Sequence, residues 1–181
     1  SFDTNGFSLG TNVSPTGSTN GSGSTYVAWA WDAGTSTVSN TDGNITSSVR
    51  ASQTNGISIV SFTGNNTNGA TVGHGLNAVP EFAIFKDRDS TKGWTIYHKD
   101  ITPKVLDFTT TASFTSQEQF NQTAPTSSVF TLGSGGRTNQ NGNDIIAYCF
   151  APVEGFSAMG SYVGNGSTDG PFVALSFRPA F

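Results

Sequence analysis

The chain has 181 residues, a net charge of −4 at neutral pH and only 11% charged residues. Its eight Lys and Arg residues are too few to form a basic patch for nucleic-acid phosphates, so we expect no nucleic-acid partner. No apolar run reaches the roughly 20 residues of a membrane helix, so we expect no membrane insertion. One Cys rules out a disulfide framework within the chain, and 12% aromatic residues are enough for a packed core.

Short strand-like stretches follow one another along the chain, separated by Gly, Asn and Pro. The first, Tyr26–Trp31, alternates bulky and small residues with the period of a strand. The later ones are Ile57–Thr63, Phe82–Lys86, Trp94–His98, Val105–Phe108, Val129–Leu132, Gly142–Phe150, Phe156–Val163 and Phe172–Phe177. The segment Ser113–Gln122 is predicted to form one helical turn, and the segment Asp87–Gly93 a hairpin loop. The pattern therefore predicts an all-β fold of the sandwich type.

The bulky faces of two of these strands are the predicted core. Trp29 and Trp31 share one face of the first, and Tyr148 and Phe150 share the matching face of Gly142–Phe150. Large residues on one face of a strand typically fill the space between two sheets. We therefore predict these four aromatic residues in the core, and Cys149, on the small face, as a buried thiol.

Four sequence blocks occur twice, in the same order and with matching large and small residues. The pairs are Phe7–Gly10 with Phe130–Gly133, Gly23–Trp31 with Gly142–Phe150, Gly56–Asn65 with Gly155–Asn165, and Pro80–Phe82 with Pro179–Phe181. A repeat that keeps its order indicates one packing unit used in tandem. We therefore predict jelly-roll-like β-sandwich modules, built on an internal repeat of about 100 residues, the size of a typical domain.

The two copies are out of phase with the ends of the chain. Residues 1–54 match the C-terminal part of a first repeat, residues 55–154 a complete repeat, and residues 155–181 the opening strands of a further one. Either the two ends complete one domain together, or the chain is a segment of a longer protein. If the ends do not close on themselves, another subunit would have to supply the missing strands.

Neither histidine of the chain has the sequence context of a catalytic or metal site. His74 lies between two glycines, where we expect its ring to cap a tight turn by bonding a carbonyl group. His98 ends a strand pattern on the face of Ile96, which favours a half-buried strand residue over a metal ligand.

Carboxylates give equally weak indications of chemistry. Asp87, Asp89 and Asp100 are spaced like a pair for glycoside hydrolysis, but basic residues surround them, which favours a solvated loop of mixed charge. Asp3 and Asn5 form part of a calcium-loop pattern that lacks its further oxygen ligands. We therefore predict no catalytic residues, no cofactor-binding residues and no metal ligands, and hence no enzyme.

A glycan-binding role remains an alternative at this point. Trp94 and Tyr162 lie near predicted loop tips, where aromatic rings can stack on sugars, although an aromatic residue in a short strand is more often part of a core.

Several longer motifs resemble a recurring, mostly uncharacterised repeat domain of structural proteins from marine phages, including cyanophages. The segments that carry this resemblance are Tyr26–Gly34, Phe62–Pro80, Ala124–Phe130, Gly160–Phe172 and Phe177–Phe181. They extend over nearly the whole chain. Proteins with this domain are often tail-fibre or virion proteins, and the family offers no catalytic residues to transfer.

The resemblance implies a virion structural protein on the extracellular surface of the particle, in a tail fibre or a capsid-attached fibre that serves assembly and host attachment. A capsid decoration protein is the first alternative, a glycan-binding receptor module the second and a glycan depolymerase the third. The implied partners are other virion proteins, further copies of the chain (a homotrimer is usual for a fibre) and a host surface glycan.

Overall fold

The computed structural model describes residues 2–3, 5–10, 19–101, 104–108 and 113–179. Two compact units are present, one spanning Ser1–Trp31 and the other Asp32–Phe181. Within the described residues, no helix is long and apolar enough to cross a bilayer.

The first unit contains one short hairpin and an extended segment. Strand β1 (Phe2–Asp3) pairs antiparallel with β2 (Gly6–Phe7). Later in this unit, the Gly21 N–H donates to the Tyr26 hydroxyl oxygen at 2.7 Å. Residues 24–31 lie outside any strand, and the rings of Trp29 and Trp31 contact each other with centroids 6.4 Å apart.

An eight-stranded antiparallel sheet dominates the second unit. Its strands in chain order are β3 (Val38–Asn40), β4 (Ser47–Ser52), β5 (Ile57–Thr63), β7 (Phe82–Asp87), β8 (Thr95–His98), β9 (Lys104–Asp107), β10 (Ser113–Thr115) and β12 (Asp144–Phe150). They are ordered β10-β9-β8-β7-β12-β5-β4-β3 across the sheet. Strand β12, late in the sequence, therefore lies near the middle, between β7 and β5.

A second, two-stranded sheet packs on one face of the large one. Strand β6 (Ala70–Gly73) pairs antiparallel with β11 (Val129–Leu132), and Ile45 forms a parallel bridge to Val72 at its edge. The helix α1 (Ser116–Phe120) brings Phe120 into the same core. A 3-10 turn, Lys99–Ile101, follows β8.

Aromatic rings fill the space between the two sheets. Phe85, on β7, meets Phe120 edge-on at 5.1 Å and Phe130 at 5.3 Å, measured between ring centroids. Tyr97, on β8, meets the same two rings at 5.7 and 5.8 Å. These four residues are almost fully buried. Edge-to-face contacts of this kind add to the stabilisation from apolar burial.

The small face of β12, not its bulky face, packs against this aromatic cluster. Ala147 and Cys149 are buried in the core, whereas Tyr148 and Phe150 are half-buried on the opposite face of the sheet. Small side chains in the central strand leave room for the phenylalanine rings of neighbouring elements. The prediction that Tyr148 and Phe150 form the core was therefore wrong, while that of a buried Cys149 is confirmed.

Trp29 and Trp31 also lie outside the core, and their predicted burial was wrong. Trp29 is 77% exposed and Trp31 49% exposed. Alternation alone predicted a strand here, but alternation does not specify a neighbouring strand, and residues 24–31 lie outside any strand.

The all-β character of the chain is confirmed, and so are most of the predicted strands. Ile57–Thr63 and Val129–Leu132 have the predicted bounds, the Asp87–Gly93 loop joins two paired strands, and α1 lies within the predicted helical turn. In contrast, Phe156–Val163 and Phe172–Phe177 are not strands. The sheet also includes β3 and β4, so the domain boundary predicted after residue 54 falls between two paired strands, β4 and β5.

Candidate functional site

An open groove of about 420 Å³ is lined largely by hydroxyl side chains. Strands β3, β4 and β5 contribute most of its surface, and one charged residue of each sign completes it. The lining residues are Thr37, Val38, Ser39, Thr46, Ser47, Ser48, Ser61, Phe62, Thr63, Arg88 and Asp144. Ser and Thr hydroxyls each offer a donor and an acceptor, so the groove is suited to a small polar ligand.

The charged end of the groove is held by the loop between β7 and β8. The Arg88 backbone N–H donates to the Asp144 carbonyl at 2.9 Å, and the Arg88 side chain is exposed. Thr63 donates its hydroxyl to the Asp144 carboxylate at 3.3 Å. Arg88 and Asp144 therefore lie at the same groove, which gives it one charged residue of each sign.

Neither aromatic residue considered for sugar stacking lines this groove. Tyr162 is 71% exposed and Trp94 is 36% exposed. Phe62, the aromatic residue that does line the groove, is buried in the core. The groove thus offers hydrogen bonds to a ligand, without an exposed ring to stack on it.

The carboxylates that sequence spacing put together each accept a hydrogen bond from a distant part of the chain. Asp87 is fully buried, and its two oxygens accept hydrogen bonds from the Asn143 amide at 3.1 and 3.0 Å. Asp89 accepts from the Asp144 N–H at 2.6 Å. Asp100 accepts from the Ser161 hydroxyl at 3.1 Å. The expectation of a wholly solvated loop is therefore wrong for Asp87, because burial is compensated by hydrogen bonds from Asn143.

His74 caps a buried turn, as predicted. One ring nitrogen, Nε2, lies 3.1 Å from the Thr126 carbonyl, and the other, Nδ1, accepts from the Leu76 N–H at 3.3 Å. The carbonyl requires a donor and the N–H requires an acceptor, so this geometry selects the neutral Nε2–H tautomer. Burial lowers the pKa of His74, which favours the same neutral form.

Gly75 makes the turn after His74 possible. Its φ of +70° is unfavourable for residues with a side chain, and a Cβ there would lie 2.8 Å from the Val49 side chain.

His98 is half-buried at the end of β8, as predicted, with its ring 6.3 Å from that of Phe82. Its Nδ1 accepts from the Asp100 N–H at 3.2 Å.

The residues of the calcium-loop pattern lie in the hairpin of the first unit. Asp3 accepts from the Ser8 hydroxyl at 2.6 Å and Asn5 is exposed. Within the described ranges, no three His, Cys, Asp or Glu side chains come together in a way that would hold a metal ion.

Asn139 is a structural residue that the sequence did not reveal. Its side chain is fully buried and donates to the Thr67 carbonyl at 3.1 Å and the Gly133 carbonyl at 2.8 Å. Its carbonyl oxygen accepts from the Asn65 N–H at 2.9 Å. In an Asn-rich chain nothing distinguishes this Asn from those in turns, because its partners are far away in sequence.

Exposed aromatic residues outside the sheets mark two further candidate surfaces, one in each compact unit. Residues 24–31 and 158–179 lie outside any strand or helix, and each segment exposes large apolar side chains. Among them are Tyr26, Val27, Trp29, Trp31, Tyr162, Val163, Phe172 and Val173. Contiguous exposed apolar patches are typical of surfaces that bind a protein, a membrane or a ligand.

Comparison with known proteins identifies the family of this chain but does not identify an activity. The search of curated proteins and the search of solved structures each gave no match. The family described as "Domain of unknown function (DUF7483)" matches residues 1–181. Because that match extends over the whole sequence, the chain belongs to the DUF7483 family.

Proposed function

We propose that the chain is a structural module of a phage virion, a segment of a tail fibre or of a capsid-attached fibre that serves assembly and host adhesion. The observation that carries this proposal is the exposure of aromatic residues in the two segments outside the sheets. Trp29 is 77% exposed and Phe172 is 93% exposed. Removing an aromatic side chain from water lowers the free energy. An assembly that covers these exposed rings would therefore be stabilised by their burial.

The sequence supports the same proposal independently. The resemblance to phage fibre and virion domains extends over the segments that remain outside the sheet as well as over the sheet itself. The sequence is rich in Ser, Thr and Asn and poor in charged residues. In this proposal Gly23–Trp31 and Gly142–Phe150 are matching blocks of two tandem sandwich-type units.

The test is to locate the chain on a particle. Antibodies against the recombinant chain are used for immunogold electron microscopy of purified phage particles whose genome encodes it. Label on a fibre or appendage is the expected result, and label on the capsid surface would favour a decoration protein instead. If purified particles carry no label while the lysate contains the protein, the virion role is wrong.

The hydroxyl-lined groove favours a second candidate function, binding of a host surface glycan. Its Ser and Thr side chains and the pair Arg88 and Asp144 match the hydroxyl groups of a sugar in hydrogen-bonding capacity. A groove of about 420 Å³ lies within the usual size range of small-ligand sites.

Removing the charged donor at the groove tests this candidate. We expect Arg88→Ala to lower binding on an array of bacterial surface glycans by roughly tenfold, the effect of losing one charged hydrogen bond. The matched control is Arg50→Ala, because Arg50 is also exposed but lies outside the groove lining. Equal binding by the two variants, or no binding by the original chain, would contradict glycan recognition at this groove.

A further inference from the structure

We propose that the outer face of the large sheet, the face turned away from β6 and β11, joins two copies of the chain by packing against the same face of a second copy. This inference goes beyond the virion role and does not depend on it. Its evidence is the set of side chains that strand pairing places on this face.

One row of apolar side chains crosses five neighbouring strands on the outer face. Strand pairing puts Tyr148 opposite both Ile59 and Ile84. The row continues from Ile84 to Ile96 on β8, and from Ile96 to Leu106 on β9. Residues directly opposite each other share one face of a sheet, and the neighbours of these residues along each strand point to the core. Leu106 is 39% exposed, three of the others are half-buried and Ile96, between its two neighbours, is buried.

Further apolar side chains lie on both sides of this row. Phe82, on β7, is opposite Phe150 and His98, and its ring centroid lies 5.6 Å and 6.3 Å from theirs. Across the row, Ile146 lies opposite Lys86. The outer face is therefore apolar over its middle strands.

Strands β7 and β12 have the composition of strands that are covered on both faces. In an antiparallel sheet with one face in water, polar residues alternate with core residues. Strand β4 follows this rule, since Ser48 and Arg50 are exposed on either side of the buried Val49. Strand β7 does not, because its outward residues include Phe82 and Ile84. The middle of the sheet therefore calls for a second covering layer.

The size of the outer face fits the requirement of a stable dimer. Its eight strands, spaced about 4.8 Å apart and about 17 Å long on average, span roughly 600–700 Å² in projection. Side chains that stand on the sheet raise the accessible area above this value, and a standard interface buries about 800 Å² on each partner. An apolar centre with a polar rim, here including Ser48, Arg88 and Asp144, is the usual composition of an interface.

The distribution of polar and apolar residues selects a second copy as the occupant. Towards the β3 edge the same face carries hydroxyl groups, with Ser48 opposite both Ser39 and Ser61. A two-fold axis running across the strands places each strand over its own counterpart, so apolar rows meet apolar rows and hydroxyl groups meet hydroxyl groups. Such a contact uses one patch on both copies and closes at two. The two large sheets then pack as in a sandwich, and Tyr148 enters a core between the copies.

Sedimentation velocity over a series of concentrations tests this pairing. We expect a reversible equilibrium between monomer and dimer, and Leu106→Asp should raise its dissociation constant roughly tenfold or more, because a charge enters the covered face. Leu106 is already 39% exposed, so the variant should still fold, which near-UV circular dichroism verifies. The matched control is Val129→Asp, which changes a half-buried apolar residue of the small sheet and should leave the equilibrium unchanged.

Cross-linking at a single position tests the two-fold axis. Ile84 lies near the middle of the sheet, so the axis brings it close to Ile84 of the other copy. Packed sheets lie about 10 Å apart, which a short bis-maleimide spans. We expect Ile84→Cys to give a covalent dimer with itself and Val129→Cys to give roughly tenfold less. Cys149 is present in every sample and is fully buried.

Three results would overturn the proposal. They are a monomer at every concentration, equal weakening by Leu106→Asp and Val129→Asp, and equal cross-linking at residues 84 and 129. If the chain stays monomeric and Leu106→Asp lowers glycan-array binding, the face binds a glycan and the contact between copies is wrong. Particle labelling tests the virion role separately, because a dimer without label refutes only that role, and label with a monomer refutes only the dimer.

Discussion

At the scale of single residues, buried polar side chains hold the loops in place. His74 joins the turn after β6 to the Thr126 carbonyl, and Asp87 joins the end of β7 to Asn143. Asn139 joins the β11–β12 loop to the β5–β6 loop. Each is buried with its polar atoms bonded, since an unbonded polar group in a core costs about 1–3 kcal/mol. Local sequence reasoning identified the cap at His74 because its flanking glycines mark the turn, whereas it missed Asn139.

Lowering the pH should destabilise the fold through His74. Burial lowers its pKa in the fold, so below about pH 6.5 the unfolded chain binds a proton that the folded chain still excludes. The contribution to stability is complete above that pH and is lost as the pH falls, with a slope of at most about 1.4 kcal/mol per pH unit. Urea unfolding between pH 5 and 7 measures it.

Two histidine variants show whether the pH dependence of the free energy of unfolding comes from His74. His74→Gln should flatten the pH dependence in this range and lower stability at pH 7, since the edge contact with Phe130 is lost. His98→Gln, which changes the half-buried histidine, serves as the control and should keep the slope. If His74→Gln unfolds with the original pH dependence, the neutral-cap interpretation is wrong.

At the scale of elements, the central strand β12 determines how closely the two sheets approach. Its inward residues Ala147 and Cys149 are small, which lets Phe85 and Phe130 occupy the space between the sheets. The alternation in the sequence correctly predicted two distinct faces of this strand. It did not reveal which face is the inner one, because that depends on the size of residues on β6, β7, β11 and α1.

A larger residue on the inner face of β12 should therefore destabilise the protein. We expect Ala147→Leu to cost about 1–3 kcal/mol, because the packed rings leave no room for the added methyl groups. Ile146→Leu, on the half-exposed outer face, is the control and should cost less than about 1.5 kcal/mol. The midpoint of urea unfolding measures both, and equal effects would show that the inner face is not tightly packed.

At the scale of the whole molecule, we expect the large sheet to unfold as one cooperative structure. Strands distant in sequence, such as β5 and β12, are neighbours in space. Exposing the middle of the sheet therefore requires opening of the second unit as a whole, with a free energy close to that of global unfolding.

The rate at which the Cys149 thiol is chemically modified measures this opening. It is fully buried, and burial raises the pKa of its thiol to about 12. We expect iodoacetamide to modify it roughly 10³-fold or more slowly in the native protein than in urea, because reaction requires opening of the sheet. The control is Ser48→Cys in a Cys149→Ala chain, which exposes a thiol on β4. Comparable rates at the two thiols would contradict a cooperative sheet.

The sequence by itself determined the all-β class, the positions of most strands, the turn at His74 and the order of the repeated blocks. These features depend on neighbouring residues, through side-chain alternation and the backbone preferences of Gly and Asn. Only the tertiary structure decided that β12 lies between β5 and β7, that its small face is the inner one, and that Trp29 and Trp31 are exposed. The physical reason is that strand pairing and burial depend on partners distant in sequence, and local patterns do not specify those partners.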